Sequence, residues 1–315
     1  MKFFIKTLWE DFCLNLYLGA GLELASYMGK SAYKFVSRTG HFFRSQDVFA
    51  STLGKRGVLK AAQKNLKMAQ IAARSTEEAI IRDYLKFESR FALENIWIRK
   101  NVQKHIMGAF EADHIECLKK KLENHQFIIA TLHTSALYVF VSMIKTLGYD
   151  VPFVVMNPLA SPIKNPAPFQ KSLLRLFPRW SETNEFVFMQ DGNVLERCKK
   201  ILESGRSLII APDTPFHSTK NVQVEFMGRK TGVASGIAFL SRKCNVDVLA
   251  VSHWAENCTC PYKLDMSIID SKDVSRCMKE IFRFFQTSIE RSPACWNGWL
   301  YWEQMDHKEV MHGNT

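Results

Sequence analysis

Gln126-Phe-Ile-Ile-Ala-Thr-Leu-His133-Thr-Ser-Ala-Leu-Tyr138 is the stretch that decides the fold. Residues 127–132 are short, apolar and β-prone, the marks of a strand buried on both faces. Residues 135–147 read as a helix closed by Gly148. His133 therefore falls where a strand gives way to a helix. An imidazole at the C-terminal end of a strand is placed to act as a base, and the N–H groups opening the helix are candidates to hold an oxyanion.

Working outward, the same alternation repeats. Strands are expected at 151–155, 186–189, 207–211, 222–226 and 246–252, with helices at 169–176, 191–204, 233–243 and 272–291. A Pro-rich loop fills 157–168. Upstream, residues 55–100 read as helical, with Ser75 and Glu78 in capping-box spacing, and a short helix covers 111–123. Strand and helix in alternation predict an α/β protein, a mixed and mostly parallel sheet flanked by helices, with an N-terminal helical region. The expected division is an amphipathic helical segment over 1–50 and one α/β domain over 51–315.

Within that first segment, residues 13–29 are the most apolar stretch. They fall short of the ~20 apolar residues that cross a bilayer, and Glu23 interrupts them. Lys30, Lys34, Arg38 and Arg44 follow. Two readings stand: a helix lying in the membrane interface, or one packed on the domain. Glu10 and Asp11 argue against a cleaved signal peptide.

The chain carries 42 Lys and Arg against 31 Asp and Glu, a net charge of +11. Such a balance seeks phosphates, anionic lipid or an acidic protein. Zinc-finger spacing, RNA-recognition signatures and basic heptads are missing, which argues against nucleic acid. There is no Walker loop and no Gly-x-Gly-x-x-Gly, so no nucleotide cofactor is expected. The 8 Cys show no framework spacing, which suits a reducing cytoplasm. His253, Cys258 and Cys260 lack a second Cys pair, so no metal is expected.

In α/β sheets, ligands gather beyond the C-terminal strand ends. Those ends carry His133, Asn157-Pro158, Asp213-Thr214 and His253. Ser135 is either a nucleophile or the cap of the following helix, and no Gly-x-Ser-x-Gly elbow surrounds it. Tyr138 can hydrogen-bond to the imidazole but supplies no negative charge near pH 7. Asp213 is either a catalytic carboxylate or the holder of its turn. Lys220, Arg229 and Lys230, with Arg175, suit phosphate groups or a solvated hairpin.

With these residues in hand, the chain resembles the bacterial lipid A biosynthesis acyltransferases, a branch of the lysophospholipid acyltransferase superfamily, over residues 55–303. Lys64-Asn65-Leu66 is similar to the family's Asn-Leu helix, and Leu132-His133 to its catalytic block. Asn165-Pro166 with Arg175 resembles its middle block. Gly205 through Asp213, then Val222 to Gly228 and Gly232 to Arg242, resemble the later ones. Ser292-Pro293-Ala-Cys-Trp296-Asn-Gly-Trp299 is similar to its Pro-x-x-Trp-x-Trp ending.

The resemblance implies acyl transfer by a His and an acid five positions on. Here that position holds Tyr138, so the acid must come from elsewhere, for example Asp213, or activity is lost. The missing acid also suits the family's lipid A glycyltransferase branch, which moves glycine and gives polymyxin resistance. The implied donor is a thioester on the 4′-phosphopantetheine arm of an acidic carrier protein, with no bound cofactor. The implied acceptor is a hydroxyl of lipid A or a related anionic lipid. The implied place is the cytoplasmic face of the bacterial inner membrane, peripherally. The competing readings are an inactive member that binds lipid or a carrier or synthase partner, and a transferase for a secreted small molecule built on carrier proteins.

Overall fold

The computed structural model describes residues 16–45, 57–69, 75–156, 184–214, 221–270 and 272–305. The long apolar runs become the sheet. Strands β1 (Phe127–Ala130), β2 (Phe153–Val155), β3 (Phe186–Phe188), β4 (Leu208–Ile210), β7 (Asp247–Trp254) and β8 (Lys263–Ile269) form one six-stranded sheet in the order β3-β2-β4-β1-β7-β8. Every pairing is parallel except β7 with β8. β1 and β4 lie at its centre and bury Ile128, Ile129, Ala130, Leu208 and Ile209 completely, which is why they read as unbroken apolar runs.

β5 (Asn221–Phe226) and β6 (Arg229–Ala234) form a separate hairpin. Its two-residue turn, Met227-Gly228, has φ of 56° and 78°. Both positive values fit a type I′ turn, whose twist suits adjoining strands.

Helices α1 (Ala32–Ser45), α2 (Gly57–Met68), α3 (Glu77–Arg99), α4 (Gln103–Gly108) and α5 (Ala112–Asn124) precede the sheet. Helices α6 (Leu137–Thr146), α7 (Val194–Glu203), α8 (Gly236–Cys244) and α9 (Val274–Arg291) lie among and after its strands. α3 is buried on nearly every side from Tyr84 to Trp97, Arg90 and Glu94 included. Its cap is Thr76, whose hydroxyl accepts from Ala79 N–H at 3.3 Å, one residue beyond the expected Ser75.

Burial drives a compact charge network through α3. Arg90 donates to Glu94 at 2.6 Å, and its guanidinium lies 4.1 Å and 3.6 Å from the ring centres of Tyr33 and Tyr262. Burial raises the Glu94 carboxyl above the usual range, against the pull of Arg90.

Residues 17–31 form a chain of short helical turns before α1. One side packs inward through Tyr17, Leu22 and Ala25, continued in α1 by Ala32, Tyr33 and Val36. Gly29 breaks the helix at φ 57°, and a Cβ there would sit 2.8 Å from the His105 ring. The opposite side leaves Leu24, Tyr27 and Met28 more than half exposed. Among the described residues no helix is long and apolar enough to cross a membrane.

Candidate active site

Strand register assembles the site. Ile128, Ile129 and Ala130 of β1 stand beside Leu208, Ile209 and Ile210 of β4, a constant offset of 80 residues. Thr131 N–H continues that ladder to Ile210 C=O at 2.9 Å. Carried three residues on, the same offset sets His133 beside Asp213. β1 and β7 run at an offset of 120, pairing Ala130 with Ala250, and this sets His253 at the same level on the other side. The connection from β1 leads toward β2, and the one from β4 leads toward β7, in opposite directions across the sheet. Such a reversal opens a crevice at the strand ends.

The contact is made. His133 Nδ1 lies 2.7 Å from Asp213 Oδ1, and the His133 backbone N–H donates to both carboxylate oxygens at 3.1 and 2.9 Å. Trp296 Nε1–H donates to Oδ2 at 2.8 Å. Asp213 has no solvent exposure, whereas the His133 side chain keeps 27%. A carboxylate at Nδ1 selects the tautomer with its proton on that nitrogen. Nε2 then carries the lone pair, with no hydrogen-bond partner among the described residues. This is the arrangement of a general base with its orienting acid.

The C-terminal segment braces the pair. Asn297 N–H donates to His133 C=O at 2.8 Å, and Thr134 bridges to Trp296. Trp296 is held edge-on by Phe226 and Trp299 at centroid distances of 5.6 and 4.8 Å. A Cβ on Gly298 would overlap the Trp296 indole, so glycine is required for this approach. From α2, Asn65 donates to Trp299 C=O at 2.7 Å.

Other sequence expectations are revised. α6 begins at Leu137 with Ala136 as its cap, and Ser135 caps nothing. The Ser135 hydroxyl is buried and shares a 3.2 Å hydrogen bond with Tyr262, and no hydrogen bond joins it to His133. Five of the backbone N–H groups in this turn are already engaged. N–H groups 133 to 137 go, in order, to Asp213, Leu132 C=O, Cys295 C=O, Thr134 Oγ1 and Thr134 C=O.

Tyr138 packs on Phe91 at 5.4 Å, and burial pushes its hydroxyl up to about 12, so it stays protonated. His253 is buried between Thr131 and Thr134, at 3.1 and 2.9 Å, under the Phe140 ring. Burial pushes its pKa down to about 3, Asp213 opposing, so it is a neutral structural residue. Among the described residues no group of three His, Cys, Asp or Glu could hold a metal.

Arg229 and Lys230 do not converge. Adjacent strand residues point to opposite faces. Arg229 lies over the Trp302 ring at 5.0 Å, while Lys230 is exposed opposite Glu225. Arg175, Lys220, Asn157, Asn165 and the expected helix at 169–176 lie outside the described residues. A cavity of about 390 Å³ flanks the Asp213 segment, lined by Pro212, Thr214, Val194, Leu195, Ile237 and Phe239 among other residues.

Sequence reading missed the contact that Trp296 makes with Asp213 and the placement of Tyr301, whose ring stands edge-on to the His133 imidazole. The Trp296-Asn-Gly-Trp299 pattern pointed to the segment but not to its contact with Asp213, and Tyr301 had no signal.

Fold and site together define an α/β protein with a His–Asp pair at the open ends of parallel strands. Residues 16–302 match the bacterial lipid A biosynthesis acyltransferases, and the chain belongs to that family. Among solved structures, it is similar to the 1-acyl-sn-glycerophosphate (LPA) acyltransferase PlsC from Thermotoga maritima. That likeness has 15% identity and a TM-score of 0.34, covering 84% of this chain and 95% of the other. No curated protein matches.

Proposed function

We propose that this family member transfers an acyl group from a carrier-protein thioester to a hydroxyl of lipid A or a related lipid. The observation that carries the reading is the 2.7 Å contact between His133 Nδ1 and buried Asp213, which leaves Nε2 available. His133 takes the proton of the acceptor hydroxyl as that oxygen attacks the thioester carbonyl. Asp213 holds the ring and stabilises the imidazolium. The proton then passes to the departing phosphopantetheine thiol.

A glycyl donor was suggested by the tyrosine at the acid position. With Asp213 against the imidazole, that reason falls away. The apolar cavity beside Asp213 favours a hydrocarbon chain over glycine. Tyr138 supports the inactive-binder reading only if no other acid serves the histidine, and Asp213 is in place.

Exposed Leu24, Tyr27 and Met28 beside exposed Lys30, Lys34 and Arg38 support peripheral docking on the anionic cytoplasmic face of the inner membrane. The test is an intact-mass readout of lipid A after reaction with carrier protein bearing either a fatty-acyl or a glycyl group. A fatty-acyl mass increment, lost in His133→Ala, is expected. A glycine-sized increment corrects the donor, and product undiminished in His133→Ala removes His133 from the chemistry.

A further inference from the structure

The backbone N–H groups of residues 133 to 137 are already bonded, which leaves room for a side-chain donor to the charge that develops on the donor carbonyl oxygen. Tyr301 stands beside the base. Its ring meets the His133 imidazole edge-on, with centroids 6.5 Å apart and planes at 89°. Its hydroxyl is buried and has no hydrogen-bond partner among the described residues. Buried hydroxyls nearly always find one, and an exception calls for an explanation. Asp213, Tyr84 and Tyr138 are near enough to act on it electrostatically. Its backbone is fixed, N–H to Gly298 C=O at 3.0 Å, between buried Trp299 and Trp302. A rigidly held, dry, unspent donor next to a base is what charge stabilisation in a transition state requires.

We infer that Tyr301 is a catalytic residue whose hydroxyl donates to the oxyanion of the tetrahedral intermediate. The assignment rests on the acyl-transfer reading above. In the first half-step the acceptor oxygen bonds to the thioester carbon. The carbonyl π pair moves onto oxygen, and the hydroxyl proton passes to His133 Nε2. The new oxyanion accepts the Tyr301 O–H. In the second half-step the C=O re-forms, the C–S bond breaks, and the imidazolium returns its proton to the sulfur. Protons and electrons balance without a further reactant.

A donor that waits unpaired for the transition state has a signature that a structural tyrosine lacks. Tyr301→Phe keeps the ring and deletes only the unpaired hydroxyl. It should lower kcat about 100-fold with KM near wild type, while the melting temperature holds or rises. Steady-state kinetics with fatty-acyl carrier protein and lipid A, alongside a thermal melt, read all three quantities on the full chain.

Wild-type kcat in Tyr301→Phe overturns the assignment. So does a loss of kcat that comes with a lowered melting temperature, because that marks a packing role. His133→Ala, run in parallel, separates the two levels. Inactive His133→Ala with fully active Tyr301→Phe removes Tyr301 alone. A wild-type protein that transfers nothing, or a fully active His133→Ala, ends the acyl-transfer reading and Tyr301 with it.

Discussion

The carboxylate that touches the His133 imidazole comes from a strand end, not from the helix after it. The helix position where the family resemblance implies an acid holds Tyr138, protonated and packed on Phe91. Asp213 reaches the same imidazole from the neighbouring strand. Restoring an acid by Tyr138→Glu should therefore bring no gain in turnover. It buries an unpaired carboxylate, and a loss of about 2–4 kcal/mol of stability is expected in denaturant melts. A rise in fatty-acyl transfer would show that the helix position is the better one.

His253 makes a separate prediction. The folded protein keeps it neutral down to about pH 3, whereas the unfolded chain takes up that proton near 6.5. The unfolded state thus binds more protons between those values, and stability falls as pH drops through that window. His253→Gln should remove this contribution, flattening unfolding free energy against pH by up to about 1.4 kcal/mol per pH unit. Equal slopes for the two proteins would mean that the buried imidazole is charged.

At the scale of elements, the segment from Pro293 to Met305 acts as a brace for Asp213. Trp296→Phe keeps most of the packing and removes one donor from the carboxylate, a loss of about 1–3 kcal/mol. A fall in kcat of roughly 10–100-fold is expected from kinetics at unchanged KM. Gly298→Ala drives a methyl group into the same indole. It should lower both kcat and melting temperature, and a silent Gly298→Ala would argue against the brace.

Much of this scale was legible in the sequence. The central strands are unbroken apolar runs because helices and neighbouring strands cover them on all sides. The partly exposed edge strand β8, with Lys263, Asp265 and Ser267 in it, has no such run and went unread. Asp213 could be named as a strand-end carboxylate. Its contact with His133 could not be read, because that depends on β4 lying next to β1, a pairing across 80 residues. The unpaired hydroxyl of Tyr301 and the split between Arg229 and Lys230 likewise arise only from tertiary placement.

At the scale of the molecule, the basic chain and its exposed N-terminal stripe belong together. Leu24, Tyr27 and Met28 project from the same turns that carry exposed Lys30, with Lys34 and Arg38 on the helix that follows. Burying each apolar side chain in the headgroup region contributes up to about 1.5–3 kcal/mol. The triple change Leu24→Ser, Tyr27→Ser and Met28→Ser should thus weaken co-sedimentation with anionic vesicles by about 100-fold or more. Wild-type binding should weaken with added salt. Unaltered binding in the triple variant would show that this stripe makes no contact with the vesicles.

The central claim is that strand register, not the helix after β1, supplies the acid for His133. Turnover of Asp213→Asn beside Tyr138→Phe, measured with acyl carrier protein and lipid A, tests it most directly. The account predicts a kcat loss of about 10³–10⁴-fold for Asp213→Asn and less than about threefold for Tyr138→Phe. Near wild-type turnover in Asp213→Asn, or collapse in Tyr138→Phe alone, would contradict it.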